Sequence, residues 1–532
     1  MNILELQKFL FERTPSRLEL VDYTSSASAT YALYTVFVYR NHSFELIEHT
    51  IKAYLDYAQM AVKFEYSDYD DSLSFSQINT SADLIIFWLD LSRYHLENVH
   101  DFIEQRIRRL RDIYKKNVLI IPLNGEDYIF STSGVYVMEL QPVKEKFGER
   151  YLDERFESFS GTKLSSFALM EISKNLALKY LPALLRSSIK AIVVDLDNTL
   201  YQGVLGEDGT DGIVLTDKHR LLQECLFELS QKGILLCVAS KNNPDDVKKM
   251  FDDRSDFPLK WETFTKVYAT WDAKSNTIGE IKKYLNINED SMIFIDDNVG
   301  EIIEVMSKYP GIKVIHAAPD ADMTYVCLQN FPGIFRFNDR YEDSIRKDDI
   351  KSNEKRRELR QTLSPEDYTR SLNMTLTYKI NNHDDVPRIA ELANKTNQFI
   401  FSYKRYTNTQ ILEYMKGEAV AVISISLKDR LSDSGLIGTC VVIKMGETAV
   451  LEELFISCRA LGRGVDEIMI LSAVNFALQK LNTTLLKVTF VKGNRNTPAE
   501  SFVNQYFNRY LNNAEIFYYH NNQKLAEVCL EK

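Results

Sequence analysis

Residues 190–200 read KAIVVDLDNTL, an apolar run that closes on two aspartates, Asp195 and Asp197. A short continuous apolar stretch of this kind predicts a strand buried on both faces, as in a parallel sheet. The alternation continues with GILLCVAS (233–240), SMIFIDD (291–297) and GIKVIHA (311–317), separated by stretches of helical periodicity. Apolar strands spaced by helices predict a parallel, doubly wound sheet, which binds ligands at the carboxyl ends of its strands.

Chemistry-bearing residues fall at those ends. Asp195 and Asp197 close the first strand, and a spacing of two keeps both side chains on one side while the chain stays extended. Ser240 closes the next strand, with Asn242 just beyond, and both are suited to hold phosphoryl oxygens near a helix start. Lys274, in TWDAKSN, lies 34 residues after Ser240 and supplies a cation for a transferring phosphoryl group. Asp296 and Asp297 end a third strand 22 residues later, as hard oxygen ligands for Mg²⁺. A cluster of carboxylates also repels itself and phosphate unless a divalent cation intervenes.

The ordered set DxDNT, Ser, Lys, DD resembles the haloacid dehalogenase superfamily. The resemblance implies that Asp195 is a nucleophile that forms an aspartyl-phosphate and that Asp197 is the general acid/base. It also implies that Lys274 and Ser240 clamp phosphate, with Asn242 and Thr199 beside them, and that Asp195, Asp197 and Asp296 hold Mg²⁺. Asp297 is expected to share the metal or to orient Lys274. More narrowly, DLDNTLYQGVLGEDGTDGIVL, GILLCVASKNN, FTKVYATWDAKSNTI and SMIFIDDNVGE resemble the FkbH-like family. That family implies an SGNH-hydrolase-like α/β domain (1–185), a doubly wound haloacid dehalogenase core (186–340), a charged helical linker (341–372) and a GNAT-like α+β acyltransferase domain (373–532). It implies a glyceryl unit moved from 1,3-bisphosphoglycerate, a phosphorylated three-carbon substrate, to the phosphopantetheine thiol of an acyl carrier protein, for polyketide or surface-glycan synthesis. This chain departs from the family at Tyr201 (often Trp), Gln202 (Gly), Val299 (Pro) and Ala191 (Cys), and lacks the Arg that often follows Glu301.

Composition agrees with a soluble multidomain enzyme. At 532 residues, 45% hydrophobic and 26% charged, the chain is expected to form two to four domains. Its net charge of −11 argues against nucleic acid as the main partner. The amino terminus lacks the uninterrupted apolar core of a signal peptide, and no run approaches the roughly 20 apolar residues that cross a bilayer. A cytoplasmic protein with no membrane partner is expected. Six scattered cysteines suggest neither a zinc site nor a disulfide framework.

The flanking regions carry weaker signals. In the first, candidate strands lie at 17–22, 83–89 and 117–123, with helices near 29–40 and 97–115. Ser25 and Ser26 follow the first of these but read as a turn or cap, so this region is expected to be catalytically silent. The stretch 341–370 holds 16 charged residues and reads as a solvated helix and linker. Beyond it, strands are expected at 375–380, 419–427, 436–444, 448–456 and 485–491, with a helix from about 464. There, Arg459, Gly462, Arg463 and Gly464 form an R-x-x-G-x-G pattern that resembles the GNAT pyrophosphate loop. It implies binding of coenzyme A or of a carrier's phosphopantetheine. Glu452 or Glu453 would be a base, and Asn397, Gln398 and Arg405 would line an acceptor groove. Arg106, Arg108, Arg109 and Arg111, or Lys355, Arg356, Arg357 and Arg360, would meet an acidic carrier. Two other readings compete: acyl transfer to an amino sugar, and a non-catalytic scaffold with a relict phosphatase fold.

Overall fold

The computed structural model describes residues 2–24, 31–125, 130, 132–337, 341–457, 460–493, 496–507 and 526–531. The chain forms two units, Met1–Asp339 and Arg340–Lys532.

The first unit holds two parallel sheets. One comprises β1 (Leu33–Arg40), β2 (Ala61–Tyr66), β3 (Leu84–Asp90), β4 (Val118–Leu123) and β5 (Val135–Val137), in the order β2-β1-β3-β4-β5. Two expectations fail here. Residues 17–21 form a helix, because Ser16 and Glu19 close a capping box: the Glu19 N–H donates to Ser16 Oγ, and the Ser16 N–H donates to Glu19 Oε2. The segment expected to be helical near 29–40 contains β1 instead, since Thr35–Tyr39 are all β-branched or aromatic and pack on a pleated sheet better than on a helix. Ser25 and Ser26 lie outside the described residues.

The other sheet comprises β6 (Ala191–Val194), β7 (Leu235–Ser240), β8 (Lys266–Ala269), β9 (Met292–Asp296) and β10 (Lys313–His316), in the order β10-β9-β6-β7-β8. All pairings are parallel. Connections run from β6 outward in both directions, so the topological switch point lies between β6 and β9, where such folds open a crevice. The loop after Leu185 separates the two sheets, yet both contribute to one buried apolar cluster. Tyr57 meets Phe331, Tyr180 meets Phe335 and Tyr136 meets Phe337, with ring centroids 5.9, 5.0 and 4.5 Å apart.

The amino-terminal helix Ile3–Phe11 protects the edge strand β10. Gln7, 1% exposed, donates from Nε2 to the His316 carbonyl at 2.8 Å and accepts the His316 N–H at 3.0 Å, much as a neighbouring strand would.

The second unit is built on a six-stranded sheet in the order β15-β14-β13-β12-β11-β16. Its strands are β11 (Met374–Ile380), β12 (Val420–Lys428), β13 (Asp433–Met445), β14 (Thr448–Ile456), β15 (Leu485–Val488) and β16 (Ala526–Glu531). β11 through β14 are antiparallel, and β14–β15 and β11–β16 are parallel. The helix Tyr341–Thr362, expected as a solvated linker, packs on β13 and buries Asp349, Ile350 and Arg356. No described helix is long and apolar enough to cross a membrane.

Replacing Gln7 with Ala would leave the His316 N–H and C=O without their partner. Urea unfolding of the first unit is expected to show a loss of about 1–3 kcal/mol, and an unchanged midpoint would show that water satisfies this edge.

Candidate functional site

The switch-point crevice gathers the sequence motifs. Asp195 follows β6, and its N–H donates to the Ile295 carbonyl of β9 at 2.9 Å, so it is carried by the sheet itself. Asp296 ends β9 beside it. Lys274, the first residue of the helix Lys274–Leu285, extends its ammonium between them, 2.7 Å from Asp195 Oδ2 and 2.5 Å from Asp296 Oδ2. All three are buried, at 5%, 0% and 4% exposure. Burial raises both carboxyls above the usual aspartate range and Lys274 restrains the rise; Asp195 pushes Asp296 up further. Burial alone would lower Lys274, but the two carboxylates hold it above the ordinary lysine value.

Asp195 Oδ1 is buried with no hydrogen-bond partner among the described residues. Oxygens of Asp195, Asp296 and Asp297 lie within 4.8 Å of one another. Three carboxylates against one ammonium leave surplus negative charge in a buried space, and hard oxygen donors of this kind suit Mg²⁺.

Asp197 does not belong to that cluster, contrary to its expected place as a ligand. Its Oδ1 accepts from Tyr201 Oη at 2.7 Å and the Leu205 N–H at 2.9 Å, and its Oδ2 accepts from Asn242 Nδ2 at 2.8 Å. Asn242 Nδ2 also donates to Ser240 Oγ at 3.0 Å, so both amide hydrogens are committed to neighbouring side chains. The neighbouring Ser240 hydroxyl acts with Lys274 to hold the Asp195 carboxyl down against its burial. Thr199 Oγ1 is buried beside them without a partner. Asp296, not Asp297, is the residue that orients Lys274.

Sequence reasoning placed Tyr201 only among the departures from family pattern. The structure puts its hydroxyl on Asp197 and its ring against Phe257, with centroids 5.9 Å apart. The loop that allows this turns at Asn198 and Gly203, both at positive φ. Asn198 Oδ1 accepts the Gly203 N–H at 3.0 Å, and a Cβ on Gly203 would come 2.8 Å from Asp208 Oδ2.

The loop expected to bind pyrophosphate in the second unit is committed elsewhere. Arg459 lies outside the described residues. Arg463 is 3% exposed and bonds to Asp349 Oδ1 at 3.1 Å and Asp429 Oδ2 at 3.0 Å, while Arg356 joins the same two aspartates. Its guanidinium therefore serves an internal ion-pair network. Gly464 lacks a side chain because Thr369 Oγ1 would sit 2.5 Å from its Cβ, and the Gly462 carbonyl accepts from Arg360.

Beyond Leu451–Val488, where β14 stops pairing with β15, the gap is filled by the chain itself. The Phe401 N–H donates to the Leu454 carbonyl at 3.0 Å, and the Val491 N–H donates to the Phe401 carbonyl at 2.7 Å. Glu453 accepts the N–H groups of Phe401, Ser402 and Lys404. Glu452 accepts from Tyr406 Oη and Lys404, so both candidate bases hold this segment in place. Arg405 donates to Asn397 Oδ1 and the Thr396 carbonyl. The expected basic faces are also partly spent. Arg111 and Arg106 donate to backbone carbonyls, Arg108 pairs with Glu104, and Arg356 is buried.

No protein-family model and no curated protein matches the sequence. Among solved structures, the chain is similar to the N-terminal part of the protein BF1531 from Bacteroides fragilis, described as containing a phosphatase domain complexed with Mg. The identity is 22%, the match covers 60% of this chain and 99% of that one, and the TM-score is 0.47. A HAD family enzyme, bt-2542 from Bacteroides thetaiotaomicron, in complex with magnesium and inorganic phosphate, is 15% identical over 25% of this chain and 95% of its own, with a TM-score of 0.19. A fungal multi-domain GH3 β-N-acetylglucosaminidase with a GCN5-related glucosamine N-acetyltransferase region is 11% identical over 87% of this chain and 47% of its own, with a TM-score of 0.18. At these TM-scores the likenesses bear no functional weight, which rests on the site's geometry.

The Arg463 network is expected to be structural. Arg463→Met should cost the second unit about 3–5 kcal/mol in urea unfolding, because Asp349 and Asp429 lose a buried counter-charge. A cost below about 1 kcal/mol together with lost coenzyme A binding would restore a ligand role.

Proposed function

We propose that the first unit is a Mg²⁺-dependent phosphatase or phosphotransferase acting on a phosphate ester, with Asp195 as nucleophile. The observation that carries this reading is the buried Asp195–Lys274–Asp296 bridge with Asp195 Oδ1 left without a partner beside it. Lys274 fixes Asp195 through Oδ2, which leaves Oδ1 as the attacking atom. Attack on phosphorus forms an aspartyl-phosphate and expels an alkoxide, which takes a proton from Asp197. Water then attacks the same phosphorus, Asp197 accepts its proton, and phosphate leaves with Asp195 restored. For either transfer, Asp197 exchanges one of its three hydrogen bonds for the reacting oxygen. Lys274 faces the phosphoryl oxygens as their negative charge shifts. Asp195, Asp296 and Asp297 would hold Mg²⁺, which when bound supplies the charge that lets an anionic phosphate approach these carboxylates.

The finer reading, that this chemistry serves glyceryl loading of an acyl carrier protein, is supported by the sequence motifs. An acyl phosphate is already activated toward a thiol, so the Asp195 site is better matched to the stable 3-phosphate ester. With the Arg463 side chain held by Asp349 and Asp429, the pantetheine arm would meet the R-x-x-G-x-G loop through its backbone.

Asp195→Asn should reduce Mg²⁺-dependent hydrolysis of p-nitrophenyl phosphate on the order of a thousandfold or more, and retained turnover would remove Asp195 as nucleophile. Tyr201→Phe should lower kcat about tenfold with KM and melting temperature nearly unchanged, because it releases Asp197 without disturbing phosphate contacts. A change confined to KM would instead place Tyr201 against the substrate. For the finer reading, a phosphopantetheinylated carrier incubated with Mg²⁺ and 1,3-bisphosphoglycerate should gain a glyceryl mass. Its absence, with phosphatase activity intact, would reject loading alone.

A further inference from the structure

At the end of the catalytic sheet opposite Asp195, a cavity of about 290 Å³ opens between the two sheets of the first unit. Its wall includes Tyr34, Tyr57, Arg186, Asp290, Lys313 and Phe331. Asp290 precedes β9 and Lys313 opens β10, whereas the catalytic aspartates follow the opposite ends of β6 and β9. The two sites are thus separated by the length of the strands.

Two cations face one carboxylate in this wall. Lys313 Nζ donates to Gln59 Oε1, a neutral partner, and Arg186 donates from one terminal nitrogen to the Ala58 and Gln59 carbonyls. Its other guanidinium nitrogens have no partner among the described residues. Tyr57 also contributes to this wall, but its hydroxyl is sealed off from the cavity and has no hydrogen-bond partner among the described residues. Burial and the neighbouring Arg186 push Lys313 down to about 8, with Asp290 opposing them only in part.

Arg186 has an ordinary explanation on its own, since it caps the carbonyl end of the helix Glu45–Tyr57. That role leaves the charge of Lys313 and the open volume unexplained. A cavity wall that sets two cations against one carboxylate, and gives Lys313 only a neutral hydrogen-bond partner, favours an added anion.

We propose that this cavity binds a compact organic anion, its carboxylate or phosphate group held by Lys313 and Arg186. Its apolar body lies against the walls that include Tyr34 and Phe331. The volume falls just below the usual range for small-molecule pockets, about 300–1,000 Å³, so a small metabolite fits and a nucleotide does not. The site requires no participation by Asp195 and stands apart from the reaction proposed above.

Calorimetric titration of the full chain with benzoate tests this, with benzyl alcohol as the neutral isostere and inorganic phosphate as the second anion. Benzoate should bind saturably and benzyl alcohol at least about tenfold more weakly. Lys313→Met should weaken benzoate about tenfold or more, and Lys313→Arg should retain most of the affinity. Asp195→Asn should leave it unchanged. Phosphate binding that survives Asp195→Asn and falls with Lys313→Met would identify the phosphate group as an accepted head. Absence of saturable benzoate binding, equal affinity in Lys313→Met, or loss of binding in Asp195→Asn would each overturn the proposal.

Discussion

A single buried ammonium holds the catalytic sheet's functional edge together. Without Lys274, Asp195 and Asp296 would face each other as unscreened carboxylates in a space with almost no exposure, and one would have to take up a proton. The ammonium allows both to remain poised as oxygen donors and ties β6, β9 and the helix Lys274–Leu285 to one point. The charge is still not balanced once Asp297 is counted, and a divalent cation would offset it.

The legibility of this site follows from how it is made. Parallel strands are buried on both faces, so β6, β7 and β9 stand out as apolar runs, and a doubly wound sheet places their ends together. Asp195, Lys274 and Asp296 could therefore be read as neighbours although 101 positions separate the first from the last. What sequence spacing did not encode was which oxygen faces which donor. Asp197 turned toward Tyr201, the Leu205 N–H and Asn242 because the loop after β6 folds back through Asn198 and Gly203, a geometry that depends on positive φ values. Tyr201 could have been suspected from its place four residues after Asp197 in an apolar loop, but only the fold-back brings the two together.

The misreadings elsewhere share a cause. Residues 17–22 and 29–40 are short segments whose apolar periodicity is ambiguous, and in each the local chemistry decided: a Ser-x-x-Glu cap in one, a β-branched and aromatic run in the other. The charged helix Tyr341–Thr362 looked solvated because composition counts charges without pairing them. Asp349 and Arg356 are buried because Asp429 and Arg463, more than 70 residues away in sequence, complete a four-membered network.

That network also changes what the second unit can be asked to do. Arg463 spends its guanidinium on Asp349 and Asp429, and releasing it would leave Arg356 alone to hold both buried carboxylates. The segment Phe399–Phe401 has a similar effect on the gap beside β14: its backbone hydrogen bonds and the Glu453 carboxylate would all need replacement before a pantetheine arm could take that path. Polar groups free to change partners lie elsewhere in the chain. In the first unit, the Asp195 crevice has such groups in Asp195 Oδ1 and Thr199 Oγ1.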